Sequence, residues 1–259
     1  MSKTSCYIRR YVCDNGIEYK TKFFVRENVA CTHSSRKKEA TVHRAEKAAT
    51  EAAHELGRVF NCSFKVGRDF HLTFTYSDKG LEALMKKAGT DDPDAFVKLA
   101  KKEYDNCLKR VKYRADKQGI EVKAAAVVSI SDPETGEAVR IHHHVVVNAE
   151  AAMLFDECWK AGEVRGRELY SHYGPDLQEL ADYMIAQAAR VGTEKRYTRT
   201  RNLLSPMVCK PVKARKPEAE LQVPHGCEKI WRSEYKKGRC QHIRYYRPPI
   251  VPPDAVDDE

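Results

Sequence analysis

The sequence predicts an α+β fold, an antiparallel sheet with helices packed on it and basic extensions at both ends. Three patterns carry that reading. Phe70, Leu72, Phe74 and Tyr76 alternate with His71, Thr73 and Thr75, the period of two of a strand with one buried face. Phe96, Ala100, Tyr104, Cys107, Val111 and Ala115 recur at three- and four-residue steps, the buried stripe of an amphipathic helix. The apolar runs VKAAAVVSIS and AVRIHHHVVVN flank the polar turn DPETGE, the pattern of a β-hairpin. Helices layered on one face of a small sheet would bury all three.

Taken in order, residues 1 to about 36 show no sustained period and read as irregular. Arg36 to about Leu56 is rich in Ala and charged residues and lacks Gly and Pro, which predicts a surface or DNA-facing helix. Phe60 to Val66 has a β-favouring composition, and the Phe70 strand follows. Ser77 or Asp78 is placed to cap a helix over GLEALMKKAG, and a long helix opens at Asp91 to Pro93 and closes at Gly119. After the hairpin, one helix runs from about Glu150 to near Trp159 and another from about Pro175 to Arg190. From Gly192 onward the chain is basic, Pro-spotted and poorly periodic. The order is β, α, α, β, β, α, α. It divides into a basic N-terminal extension with a helix (1–56), a central domain (57–206) and a basic, Pro-containing extension with an acidic end (207–259).

Composition narrows the function classes. No apolar run approaches the roughly 18 residues of a membrane helix, so no membrane association is expected. The start has basic residues with no apolar segment behind them, unlike a secretory signal. Nine cysteines, an odd count with no CxxC pair, argue for free thiols in a reducing cytoplasm rather than a disulfide framework. Two zinc groupings, His225 and Cys227 with Cys240 and His242, and Cys6, Cys13 and Cys31 with His33, match no common finger spacing. Lys and Arg total 46 against 37 Asp and Glu, a net charge of +9. Four of those acids lie in the last six residues, so the body of the chain is more basic still and suits a polyanion, nucleic acid first.

The chemistry concentrates in three segments. In IHHHVVV, His142 and His144 lie on one side of a strand and His143 on the other, so two imidazoles on one rigid element are placed to share a metal ion. On the helix ELADYMIAQ, Tyr183 lies one turn from Ala186 and Gln187. Between Lys195 and Lys216 stand eight basic residues and no acidic one, with Tyr197 set among Lys195, Arg196, Arg199 and Arg201. Basic residues neutralise phosphates and an aromatic ring stacks on an unpaired base.

The ordered set FHLTFTY, IHHHVVVN, ECWKAGEV, LADYMIAQ and KRYTRTRNLLSP resembles the HUH endonucleases that initiate rolling-circle replication. More narrowly, it is similar to the replication-associated proteins of phages and mobile elements related to the gene II protein of filamentous phage. The likeness covers about Asp69 to Pro206. It implies an HUH-like antiparallel sheet and a catalytic domain that nicks single-stranded DNA, or a strand extruded as an origin hairpin. By this resemblance Tyr183 is the nucleophile, forming a 5′-phosphotyrosine and a free 3′-OH. His142 and His144 are metal ligands for Mg²⁺ or Mn²⁺, and Lys195, Arg196, Tyr197, Arg199, Arg201 and Asn202 bind DNA. Gln187 in place of a second tyrosine implies a single-tyrosine enzyme. Where the family carries a carboxylate before the histidines, this chain has Ser129 and Ser131, with Asp132 the candidate third ligand. Where the family carries a lysine after the tyrosine, Ala186 and Gln187 stand, and Lys195 or Arg196 is placed to supply the charge. Host helicase and polymerase are the protein partners such an initiator implies. A transposase or relaxase using the same chemistry, and a non-catalytic single-stranded nucleic-acid binder, are the alternatives; FHLTFTY lacks the glycine pattern of an RNA-recognition strand.

Overall fold

The computed structural model describes residues 4–26, 42–90, 92–131, 135, 137–189, 196–236 and 239–249. Along them run β1 (Thr4–Val12), β2 (Ile17–Arg26), α1 (Val42–Ser63), β3 (Phe70–Thr75), α2 (Asp78–Ala88), α3 (Pro93–Lys117), β4 (Ala124–Ser131), β5 (Ala138–Val147), α4 (Ala149–Cys158), β6 (Val164–Glu168), α5 (Gln178–Gln187), β7 (Thr198–Arg199), β8 (Met207–Val208), β9 (Val212–Lys213), β10 (Glu228–Arg232) and β11 (Gln241–Tyr246). The class is α+β with antiparallel sheets. The chain forms two compact units, Ala40–Leu204 and Met1–Glu39 with Ser205–Glu259. No helix among the described residues is long and apolar enough to cross a membrane.

In the 40–204 unit the strand order is β6-β3-β5-β4-β7, with every neighbour antiparallel. The β4–β5 pair is the expected hairpin. Helices cover both faces of this sheet, which corrects the expectation of one covered face. Leu72, Phe74, Val145 and Val147 pack with Leu84 of α2, Val97, Tyr104 and Val111 of α3 and Phe155 of α4. Ala125, Val127 and Val146 pack on the other side with Leu56, Val59 and Phe60 of α1 and Ala181, Met184 and Ile185 of α5. The reason lies in β4 and β5, whose runs AAAVV and VVV are apolar at both parities, as central strands buried on two faces must be.

The helix ends follow local chemistry. Ser77 Oγ accepts from Gly80 N at 3.1 Å at the start of α2, and Asp92 with Pro93 opens α3. Helix α1 differs from expectation. The Phe60–Val66 segment supplies the last turn of α1 rather than a strand, with the rings of Phe60 and Phe64 edge-on at 5.6 Å. Its Ala53, Leu56, Val59 and Phe60 are buried against α5, so residues 42–63 belong to the core of the central unit rather than to an extension. Gly57 permits this packing: a Cβ there would lie 2.1 Å from Gln178 Oε1. Gln178 Nε2 donates to the Ala53 carbonyl at 2.9 Å, and Asn61 Nδ2 donates to Asp176 Oδ1 at 2.9 Å, fixing the entry to α5.

The second unit is built from segments that read as irregular at the start of the chain and poorly periodic at its end. Strands β1 and β2, read as irregular, form a hairpin through Asp14, Asn15 and Gly16, where Gly16 takes φ +84 and Asn15 Oδ1 accepts from Ile17 N. The segment from 205 onward supplies the rest of the sheet, ordered β10-β11-β2-β1-β8 with β9 also on β1. Glu18, 3% exposed, accepts from Tyr245 Oη and Arg247 Nε, both at 2.6 Å, so these ion and hydrogen-bond partners hold its carboxyl below the usual range against the cost of burial. The eight described cysteines are free thiols; Cys31 and His33 lie outside the described residues.

Candidate active site

Cross-strand register builds the site on the α1/α5 face. His142 pairs with Thr75 of β3 and Ser129 of β4, His144 with Thr73 and Val127, and Val146 with His71 and Ala125. Residues paired directly across strands share a face, so His71, His142 and His144 stand together. His143, one residue out of phase, lies on the opposite face, as alternation requires.

The three imidazoles form a chain of contacts. His142 Nδ1 lies 2.8 Å from the Arg140 carbonyl, which only accepts, so Nδ1 carries the proton and Nε2 presents a lone pair in the neutral ring. His142 Nε2 is 3.1 Å from His144 Nε2, and His144 Nδ1 is 3.2 Å from His71 Nε2. Burial pushes His71 down to about 4, with Arg167 adding to the effect, and pushes His144 down to about 3, with His71 and His142 adding to it. Both rings are therefore neutral at pH 7, the form a metal ion requires.

Tyr183 meets this chain from α5. Its ring lies edge-on to His144 at 5.2 Å and to His71 at 6.3 Å, and it is 43% exposed. One turn on, Gln187 Oε1 accepts from the buried Ser129 Oγ at 3.0 Å. Thus Ser129 of β4 and Gln187 of α5 bond to each other. That bond ties α5 to β4 beside His142 and aims the preceding turn, with Tyr183, at His144.

The Nε2 atoms of His142 and His144, 3.1 Å apart, suit two ligands of one ion, since adjacent donors about 2.1 Å from a shared ion in octahedral order sit about 3 Å apart. With that use of Nε2, His144 keeps its proton on Nδ1 and donates it to His71, the orienting bond that ligating histidines usually make. Among the described residues no group of three or more His, Cys, Asp or Glu is arranged to hold a metal. Asp132, the expected third ligand, lies outside the described residues, as does Lys195.

The expected DNA-binding segment is dispersed. Tyr197 is 8% exposed in the core with α1 and α5, and burial raises its hydroxyl to about 12, so its ring offers no face for a base. This corrects its stacking role. Arg196 is half-buried. Asn202 Nδ2 donates to Glu121 Oε1 at 2.9 Å and the Val122 carbonyl at 3.0 Å, a structural tie at the start of β4. Arg199 and Arg201 are exposed. Arg199 pairs with Ala125, in the row of His71 but three strands from it, roughly 14 Å at about 4.8 Å per strand. No protein-family model, curated protein or solved structure matches the chain.

Sequence reading missed His71, Arg165 and Arg167. Arg167 pairs with His71 and Arg165 with Thr73, which puts two exposed guanidinium groups on the histidine face at the edge strand. The alternation Arg-Gly-Arg in VRGRE was a usable signal. His71 had none, because its partner Val146 is fixed only by register. The Trp159 and Gly162 spacing has a structural meaning here. Trp159 Nε1 donates to the Thr75 carbonyl at 3.0 Å, and a Cβ on Gly162 would lie 2.0 Å from that same oxygen, so the turn clamps the end of β3 beside His142.

Proposed function

We propose that this chain is an HUH-type endonuclease that nicks single-stranded origin DNA through Tyr183 and so starts rolling-circle replication. One observation carries the reading: a half-exposed tyrosine lies against His144, whose Nε2 atom is 3.1 Å from that of His142.

The Tyr183 oxygen attacks the scissile phosphorus, the phenol proton passes to solvent, and the P–O3′ bond breaks. The 3′ oxygen leaves and takes up a proton, while the phosphate remains on Tyr183 as a 5′-phosphotyrosine. Because one phosphate ester replaces another, the later attack of a 3′-OH on the phosphotyrosine reseals a strand without a nucleotide cofactor. Mg²⁺ or Mn²⁺ held by His142 and His144 would polarise the phosphate oxygens and stabilise the charge that develops on them. His71 orients His144, and Gln187 with Ser129 holds Tyr183 in reach. Arg165 and Arg167 supply positive charge to the DNA backbone on this face. Release of the 3′-OH to a polymerase, with a helicase unwinding ahead of it, places both among the partners.

An adduct assay tests the reading. Full-length protein is incubated with labelled single-stranded DNA and Mn²⁺ or Mg²⁺ and run on a denaturing gel. Label on the protein that needs both metal and Tyr183, and is lost in Tyr183→Phe, is the expected result. Label that persists in Tyr183→Phe overturns the assignment of the nucleophile. Salt-sensitive DNA binding without any adduct favours the non-catalytic binder instead.

A further inference from the structure

The charge of this protein is not spread evenly. The 1–39/205–259 unit holds 20 Lys and Arg against 12 Asp and Glu, whereas the 40–204 unit holds 26 against 25. Nearly all the net charge of +9 therefore resides in the unit that lacks His71, His142, His144 and Tyr183.

Its sheet orders that charge. Cross-strand partners share a face, so register assigns each row. One row reads Lys213, Tyr7, Phe23 across β9, β1 and β2. The next reads Arg9, Thr21, His242 across β1, β2 and β11. The third reads Val208, Tyr11, Tyr19, Arg244 and Trp231 from β8 to β10. All three lie on one face, and none contains an acidic residue; the next row on that face, Ile17, Tyr246 and Glu228, ends in one exposed acid on β10. Glu18 has the opposite parity and is held by Tyr245 and Arg247.

Rings and cations on this face are already paired. Tyr7 and Phe23 stack at 5.9 Å, the Arg9 guanidinium lies 5.3 Å from the Phe23 centroid, and the Arg244 guanidinium lies 5.9 Å from that of Trp231. Tyr19 and Arg244 are buried in the middle, Tyr7, Arg9 and Phe23 are half-buried, and Lys213 and Trp231 are exposed at the rim. Arg9 Nε is buried without a hydrogen-bond partner.

We infer that this sheet face binds single-stranded DNA, with unpaired bases stacking on Trp231 and the Tyr7–Phe23 pair and with phosphates neutralised by Lys213 and Arg9. Interleaved rings and cations, in three adjacent rows without an acid, suit a strand whose bases and phosphates alternate. A duplex hides its base faces, so stacking on these rings selects an unpaired strand. The inference does not depend on the nicking chemistry, since it concerns affinity alone.

The test uses full-length Tyr183→Phe protein in EDTA, which removes cleavage from the readout, with labelled oligo-dT and a duplex of equal length in an anisotropy titration. Single strand binds at least tenfold tighter than duplex. Trp231→Ala and Lys213→Glu each weaken it about tenfold, with melting curves unchanged, and Lys213→Glu also lowers the slope of log affinity against log salt by about 0.7, one phosphate contact. Lys98→Ala, at an exposed position of α3 on the other unit, leaves this affinity within about threefold. Equal affinity for duplex overturns the stacking role, and full affinity in both unit variants overturns the site. Neither outcome alters adduct formation by the wild type, so failure here is distinct from failure of the nicking reading.

Discussion

His143 and His144 are consecutive residues of β5, yet they live in different chemistry. On the α2–α4 face His143 is fully buried, its ring 5.5 to 6.4 Å from Tyr104, Trp159 and Phe74, with Tyr76 Oη at 3.0 Å from Nε2. On the α1/α5 face His144 contacts two other imidazoles and an exposed tyrosine. Burial lowers both to about 3, so proton affinity does not tell them apart. What differs is company: His143 is enclosed by rings and serves packing, whereas His144 is a buried member of a polar array that opens to the surface at Tyr183. A depressed histidine pKa alone therefore does not mark a functional site; the neighbouring donors do.

That contrast is open to test. The largest effect is expected on activity. His142→Ala with His144→Ala should reduce metal-dependent adduct formation about a thousandfold, the several kcal/mol of charge stabilisation such an ion supplies, while the melting temperature changes little. Unaltered cleavage in the double variant would break the contrast from the active side. Next, His143→Ala should destabilise the fold by about 3 kcal/mol through the cavity it leaves, read by urea unfolding, while the folded protein still forms adduct. Activity loss in a fully folded variant would give His143 a chemical role.

A smaller effect separates orientation from ligation. His71→Phe keeps a ring against Tyr183 but removes the partner of His144 Nδ1, and should raise the metal concentration for half-maximal activity about 10- to 100-fold. A change in maximal rate with metal dependence intact would instead make His71 a direct participant. The smallest expected effect is on acid stability. His71, His143 and His144 stay neutral in the fold well below pH 6.5, while in the unfolded chain they take up protons near 6.5. Their neutral-state stabilisation is complete above that pH and declines as pH falls towards 4 and 3. The melting temperature should drop across that interval, and less steeply in His143→Leu; parallel curves would show that His143 does not contribute to the titration.

Much of the site was legible because it obeys local rules. Parity alone placed His142 and His144 on one face and His143 on the other, and helical spacing placed Gln187 one turn after Tyr183. Tyr197 misled because a basic run reads as surface, and nothing local reveals that its ring fills the core beside α1. Strands β1 and β2 misled because Tyr7, Tyr11, Tyr19 and Phe23 share one face with Arg9 and Thr21, while Ile8, Val12 and Phe24 share the other with Arg10, Lys20 and Lys22, so neither face shows a clean hydrophobic period.

By itself the sequence determined the class of the central unit, the hairpin, the capped helices α2 and α3, the paired histidines and the overall basic charge. These depend on side-chain period and nearest neighbours, which the chain carries within a few residues. Only the tertiary structure decided that helices cover both faces of the central sheet, that His71 stands beside His144, that Ser129 bonds Gln187, and that the two ends of the chain build one basic, aromatic sheet. Each of these rests on strand register or on partners far apart along the chain, where pairing is selected by the burial of whole faces rather than by local preference.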